Sequence, residues 1–453
     1  MEAREHTQAN LSLLREKLGG GRVRSAQILI GSLHPSEIAR LLESLPQTER
    51  NFIWEMVDPE IGGEVLVELA DEVRDGLIES MQTDEVVAAL DGMEMDDLAD
   101  VVADLPEALT QEVLRSLDHQ ERERLHAVLS YDEDSAGGLM NTDVITVRPD
   151  VTLEVVLRYL RARGDIPDGT DSIFVVNRNN EFFGSLFLSR LLTLDPEDTV
   201  AEVMSTEIQP IPAHTPTEEV IWEFENRDLL SAPVVDDTNR LVGRITIDDI
   251  VDEIRDEAEH ALMGAAGLDE EDDMFAPVVK SAQRRALWLG VNLATAFLAA
   301  SVVDLFQTTL DKIVLLAVLM PVVPSMGGVA GSQSLVVITR AMALGQIDRT
   351  NASGILRKEL MVGMLNGLAW SAVVAMFTYL WFSDWRVGGV IAGAMIINMA
   401  AAALAGFVVP ITLKRLRIDP ALAGGVVLTT ITDVIGYMSF LGLGAIFLLL
   451  TRG

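Results

Sequence analysis

The chain has no cysteine among its 453 residues, which removes disulfides and thiolate metal ligands from consideration and fits a reducing compartment. Aromatic residues make up only 5%. The six histidines (His6, His34, His119, His126, His214 and His260) show no metal-ligand spacing, which argues against zinc chemistry. "MGGVAG" lacks a following Lys-Ser/Thr and lies inside an apolar run, so it is no phosphate-binding loop. With no nucleophile motif either, the expectation is a protein that is not an enzyme. Basic residues are scarce too: 34 Lys+Arg face 69 Asp+Glu, a formal net charge of −35. This deficit excludes nucleic acid and points to cations as partners. The N-terminus "MEAREHTQANLSLLREK" has no apolar h-region; no cleaved signal is expected, and the soluble half should stay cytosolic.

What is present divides the chain in two. Residues 279–453 hold 13 basic and 7 acidic side chains, a balance of +6, and residues 1–278 hold 21 and 62, a balance of −41. An acidic soluble half is therefore joined to a slightly basic half with apolar runs at about 286–306, 313–339, 360–382, 387–412 and 422–450. Each run is long enough to cross a hydrocarbon core, which takes roughly 20 helical residues. With the N-terminus inside, ten basic residues flank the inner ends and three (Lys312, Arg386, Arg452) the outer ends. That bias supports a multi-pass protein of the cell (inner) membrane with its C-terminus outside.

Between Ala421 and Leu450 the only charge is Asp433. A carboxylate at that depth costs at least ~2.5 kcal/mol on insertion scales, so it marks a functional position by default; the alternative is a structural carboxylate satisfied by a neighbouring helix. The second run contains "PVVPSMGGVAGSQ", with Pro321, Pro324, Gly327, Gly328 and Gly331. These residues predict a kinked or unwound segment that lines a cavity, or else close helix packing through small residues. Taken with Asp433, a pore walled by Pro321, Gly327, Gly328, Gly331, Thr429 and Thr430 is the stronger expectation. Carboxylate, hydroxyl and carbonyl oxygens without histidine or cysteine favour a hard cation such as Mg²⁺.

The soluble half carries two internal repeats. "EIARLLESLP" (Glu37 to Pro46) and "DLADVVADLP" (Asp97 to Pro106) stand 60 residues apart among short amphipathic segments, which predicts a helical solenoid over about residues 20–130. "MNTDVITVRPDVTLEVVLRYLR" from Met140 and "MSTEIQPIPAHTPTEEVIWEFE" from Met204 start the second repeat, which places Gly184 opposite Gly243. Two βαββα units follow from the strand, turn and helix pattern, and the pair resembles the tandem cystathionine-β-synthase (CBS) module. Next comes "IDDIVDEIRDEAEHALM", a helix with one acidic row at Asp248, Asp252 and Asp256 and another at Asp249, Glu253 and Glu257. Like charges at this spacing destabilise a helix by ~0.2–0.5 kcal/mol per pair, so a counter-ion should steady it. "LDEEDD" (Leu268 to Asp273) extends the acidic field.

This order of parts is similar to the MgtE family of magnesium channels, most specifically in "P…MGGVAGSQ…R" (Pro321 to Arg340), "RIDPAL" (Arg417 to Leu422) and "TTITDVIG" (Thr429 to Gly436). The resemblance implies a multi-domain fold: an α-helical superhelical N domain (1–135), two α/β CBS domains (136–200 and 201–246), a connecting plug helix and linker (247–275) and a five-helix all-α transmembrane domain (276–453). It implies a homodimer in membrane lipid with the second and fifth helices around a pore on the two-fold axis, and Asp433 as the carboxylate that selects hydrated Mg²⁺. It also implies closure by internal Mg²⁺, with Asp96, Asp97 and Asp100 facing Asp249, Asp252 and Glu257, further acidic ligands at Glu253 and Asp256, and Asp419 meeting the plug helix. Two departures stand out. Val329 replaces the Asn common after the double glycine, and His260 and Ala261 stand where the family's acidic face continues. CBS pairs also bind adenosine ligands, which leaves ATP open as a second ligand. A coupled carrier, or a membrane-anchored CBS sensor without transport, is the alternative function.

Overall fold

The computed structural model describes residues 12–14, 23–164, 166–167, 169–264, 274–343, 345–348 and 350–450. "LDEEDD" lies outside them. The chain forms two compact units, residues 1–257 with 271–276, and residues 258–270 with 277–453.

In the first unit, short α-helices follow one another from Val23 to Val128. Proline and side-chain caps set their length. Pro46 and Pro106 stand at the N-caps of Gln47–Trp54 and Glu107–Ser116, where a missing N–H costs nothing. His34, Gln82 and Asp118 close capping boxes with Glu37, Glu85 and Glu121. The 60-residue repeat survives folding: Ile38, Leu41, Leu42 and Leu45 are buried, and so are Leu98, Val101, Val102 and Leu105. The i, i+3, i+4 spacing turns these side chains to one face of each helix, and each contributes about 1.5–3 kcal/mol by leaving water.

The second repeat folds into two three-stranded sheets, β1 (Thr146–Val147), β2 (Ser172–Val176) and β3 (Phe182–Phe187), then β4 (Ile211–Pro212), β5 (Ser231–Val235) and β6 (Leu241–Thr246). In each, a parallel pair precedes an antiparallel hairpin, and the registers match: Val175 pairs Gly184 as Val234 pairs Gly243. The two glycines are needed for a close approach. A Cβ on Gly184 would stand 2.6 Å from the Ser205 carbonyl oxygen, and one on Gly243 2.9 Å from that of Asn141. The segment leading each copy thus lies on the last strand of the other, Asn141 against Arg244 and Ser205 against Ser185. The hairpin turns interlock likewise, Asn180 donating to Leu241 O and Asn239 to Phe182 O, both with positive φ, a conformation asparagine tolerates.

The second unit has five helices of membrane-spanning length: Val278–Asp304, Val314–Ala343, Ala352–Phe382, Trp385–Arg415 and Pro420–Leu450. The fourth is the most buried and packs against the second, third and fifth. The expected unwinding of the second span is confined to its start: the helix Val314–Leu319 ends, Met320 and Pro321 turn, and Val322–Ala343 runs on through the glycines as α-helix. Interior packing explains the continuity. A Cβ at Gly327 would lie 2.1 Å from Asn398 Nδ2, and one at Gly331 2.9 Å from a Leu428 methyl. Those two glycines pack closely on the fourth and fifth spans, and their backbone stays in the helical ladder.

Candidate cation sites

Contacts between the second and fifth spans fix where Asp433 stands. Gly436 lies against Pro324, Gly328 against Thr432, and Gly331 against Leu428, so the two helices run antiparallel and Asp433 is level with Gly327 and Gly328. Thr432 is fully buried on the inner face. Thr429 is exposed one turn before Asp433, which is half-buried; on the second span Pro321, Ser325 and Val329 form an exposed row at four-residue spacing. Thr429 and Thr430 donate their hydroxyls back to the helix, at Gly425 O and Val426 O. Those hydroxyl oxygens remain acceptors. Asp433 itself has no hydrogen bond or ion pair among the described residues, so no neighbouring helix satisfies it. The open face thus carries one carboxylate, hydroxyl oxygens and Val329 in place of an amide.

Two polar positions in the membrane unit were not singled out from the sequence. Asn398, fully buried in the fourth span, donates from Nδ2 to Val323 O at 2.8 Å and stands between Gly327 and Gly436. Glu359 in the third span is buried and accepts from Ser334 Oγ at 2.8 Å. Asn398 is a lone polar side chain inside an apolar run, the signal that singled out Asp433, whereas Glu359 follows Arg357 and Lys358 and reads as part of a charged flank.

Asp419 sits just before the fifth span. Its carboxylate accepts from the amides of Ala421 at 2.8 Å and Leu422 at 3.3 Å, which caps the helix. Oδ2 also lies 2.7 Å from His260 Nε2. His260, near the end of the helix Ile247–Gly264, is thus the residue of that helix that contacts Asp419.

The acidic residues of the first unit gather around the helix Met95–Asp104 and the start of the connecting helix Ile247–Gly264. Asp249 is fixed at the start of its helix, its Oδ2 accepting from Thr246 N at 3.0 Å and Oγ1 at 2.8 Å. Glu94 accepts from Asn141 Nδ2 at 2.6 Å. Burial pushes the Asp97 carboxyl up to about 7, with repulsion from Glu94, Asp249, Asp248 and Asp252 adding to it. Asp100 rises to about 7 through burial and the charges of Glu133, Asp97 and Glu253. Glu253 rises to about 7 through burial, Asp256, Asp134, Glu133 and Asp249. Burial takes Asp249 to about 6 against its hydrogen bonds from Thr246, and Asp252 is raised by burial despite Arg255. Asp96 is buried and driven well above its ordinary range by desolvation and by Asp249, Asp97 and Glu94; its Oδ1 has no hydrogen-bond partner among the described residues. Arg255 pairs with Asp252 and Asp256. Among the described residues no three carboxylate or imidazole groups converge into a cage for one ion. The structure therefore shows carboxylates in mutual repulsion, with oxygen as the donor throughout. That set fits a hard divalent cation with its own waters.

Comparison with known proteins agrees with both halves. A divalent cation transporter model matches residues 320–443, a model of the MgtE intracellular N domain matches 33–134, and the CBS domain model matches 136–199 and 200–256. The magnesium transporter MgtE of Thermus thermophilus is 29% identical over 440 residues, covering 96% of this chain and 98% of its own, and that of Bacillus subtilis 27% over 433 residues, covering 95% and 96%. The crystal structure of the cytosolic domain of the Mg²⁺ channel MgtE in complex with ATP is similar with a TM-score of 0.50 and 30% identity, over 54% of this chain and 99% of that one. With its acidic helical domain, CBS pair and five membrane-length helices in that order, this chain belongs to the MgtE family.

Proposed function

We propose that this chain is a Mg²⁺-selective channel for uptake across the cell membrane, closed by Mg²⁺ on the cytosolic side. The observation that carries the reading is Asp433, an unsatisfied carboxylate at mid-depth on the exposed face where the second and fifth spans meet. Mg²⁺ keeps its inner waters reluctantly exchanged, so few protein oxygens suffice to recognise it. Two copies about a two-fold axis would bring two such carboxylates to one path. On this reading Thr429 and Thr430 supply oxygens beside Asp433, and Pro321 and Gly328 belong to the second span's share of the wall. The N domain and CBS pair face the cytosol and the C-terminus lies outside, in keeping with the ten-to-three bias of basic residues.

Closure follows from the acidic unit. On this reading the repulsion and desolvation that Asp96, Asp97 and Asp100 meet from Asp249, Asp252 and Glu253 favour separation, with Asp256 and Glu257 as further acidic ligands on the same helix. A divalent cation there supplies the missing countercharge. The compact arrangement then gains relative to the open one. Going from 1:99 to 99:1 takes ~5.5 kcal/mol of differential binding, more than one weak site supplies, and the spread of carboxylates allows several. ATP at the CBS pair is part of the same proposal, on the strength of the solved relative.

The test is Mg²⁺ flux into liposomes holding the purified chain under a potassium-diffusion potential, with lumenal Mg²⁺ low and then high on the side the N domain faces. Flux that follows the potential at low Mg²⁺ and stops at high Mg²⁺ supports the gated channel. Flux that follows a Na⁺ or H⁺ gradient instead means a coupled carrier, and no flux in either state means a sensor.

A further inference from the structure

A carboxylate buried inside a membrane-spanning bundle without a basic partner is costly unless a counter-ion or further donors meet it. Glu359 is in that position. It is 7% exposed, Ser334 beside it is 9% exposed, and its one hydrogen bond among the described residues comes from Ser334 Oγ. A carboxylate has about four acceptor positions, so most of its capacity is unfilled. The pair opens on a cavity of ≈190 Å³ between the second, third and fourth spans, which the amides of Gln333 and Asn366 line along with Met399 and Ala403. One wall is brought close by Gly363, where a Cβ would stand 2.6 Å from that of Ala403. The cavity lies toward the end of the second span and the start of the third, the end that Arg340, Arg357 and Lys358 mark as the inner side.

We propose that this cavity binds a monovalent hard cation, with Glu359 supplying the charge and Ser334, Gln333 and Asn366 neutral oxygens. The choice of charge follows from the count of carboxylates. One carboxylate cancels one positive charge, whereas a divalent ion would leave a net charge in a low-dielectric interior. All donors are oxygen, which suits Na⁺. A volume of roughly six waters, at ~30 Å³ each, admits the ion with part of its hydration shell. The proposal does not depend on the pore reading, since none of these residues is on the fifth span.

The experiment is equilibrium binding of ²²Na⁺ to the full chain in detergent, with excess Mg²⁺ present to occupy the acidic cytosolic surface. Saturable binding is expected in the wild type, displaced by unlabelled NaCl and not by more MgCl₂. Glu359→Gln keeps the size and an acceptor for Ser334 and should weaken binding at least about tenfold, as loss of a charged ligand does. Asn366→Leu, on the exposed rim, should weaken it several-fold without touching the buried pair. NaCl should also raise the thermal unfolding midpoint of the wild type over equal choline chloride, because a ligand of the native state stabilises it, and should leave Glu359→Gln unmoved. Absence of saturable ²²Na⁺ binding, equal binding by Glu359→Gln, or displacement by Mg²⁺ overturns the proposal.

Discussion

The two acidic regions of this molecule use the same functional group in opposite ways. In the first unit, carboxylates crowd one another, and several are pushed to about 6 or 7 by burial and repulsion. In the second unit, Asp433 is alone on its helix face. Crowding stores an unfavourable interaction that a cation relieves, which suits a switch. Solitude leaves one carboxylate with its acceptors free, which suits recognition of a passing ion.

That comparison can be broken at several points, with effects of decreasing size. The largest concerns the packing that holds Asp433 in place: Gly327→Val would drive a side chain into Asn398, where even a Cβ stands 2.1 Å away. It should lower the unfolding midpoint of the membrane unit by the equivalent of about 3 kcal/mol or more, read by thermal unfolding in detergent. Asn398→Leu removes the donor to Val323 O and should cost about 1–3 kcal/mol by the same measurement.

The pH response comes next. The raised carboxyls bind protons in the folded state that the unfolded chain releases above about pH 4. Their contribution to stability is therefore full below about pH 4 and is lost as pH rises through 6 to 7. Protection from hydrogen exchange in Met95–Asp104, taken relative to the intrinsic rate at each pH, should fall over that interval without Mg²⁺, and millimolar Mg²⁺ should flatten the dependence. Protection that rises with pH would contradict the repulsion. Glu253→Gln removes one of these charges and should stabilise the Mg²⁺-free cytosolic unit by about 1–2 kcal/mol, while raising the Mg²⁺ needed for closure. The smallest effect is expected at His260→Ala, where losing the imidazole from the half-exposed pair with Asp419 should cost about 1 kcal/mol or less, the helix cap from Asp419 remaining.

Much of the architecture was legible because it depends on periodicity. The 60-residue spacing places Ile38 and Leu98 at equivalent core positions, and the aligned Gly184 and Gly243 mark the same close backbone approach. The five spans were visible as apolar runs, though Val278–Asp304 starts earlier than its apolar stretch because Lys280, Arg284 and Arg285 continue the helix. The glycines of the second span left two readings open for a physical reason. Composition permits both an unwound segment and a tightly packed helix, and only the neighbours, Asn398 and Leu428, decide between them. Asn398 and Glu359 were missed because one polar residue in or beside an apolar run gains meaning from what faces it on another helix. His260 was expected as a lost acidic ligand; its contact with Asp419, 159 residues away, could not be read from spacing.

The most direct test of the central claim compares Asp433→Asn with the wild type for Mg²⁺ flux into liposomes under an imposed potential, at low Mg²⁺ on the cytosolic side. The asparagine keeps the shape and the oxygen and removes only the charge. The account predicts that the variant loses Mg²⁺ flux or its preference over Na⁺ and K⁺ while its unfolding midpoint stays within a few degrees of the wild type. Unchanged flux and selectivity in a folded Asp433→Asn protein would contradict it.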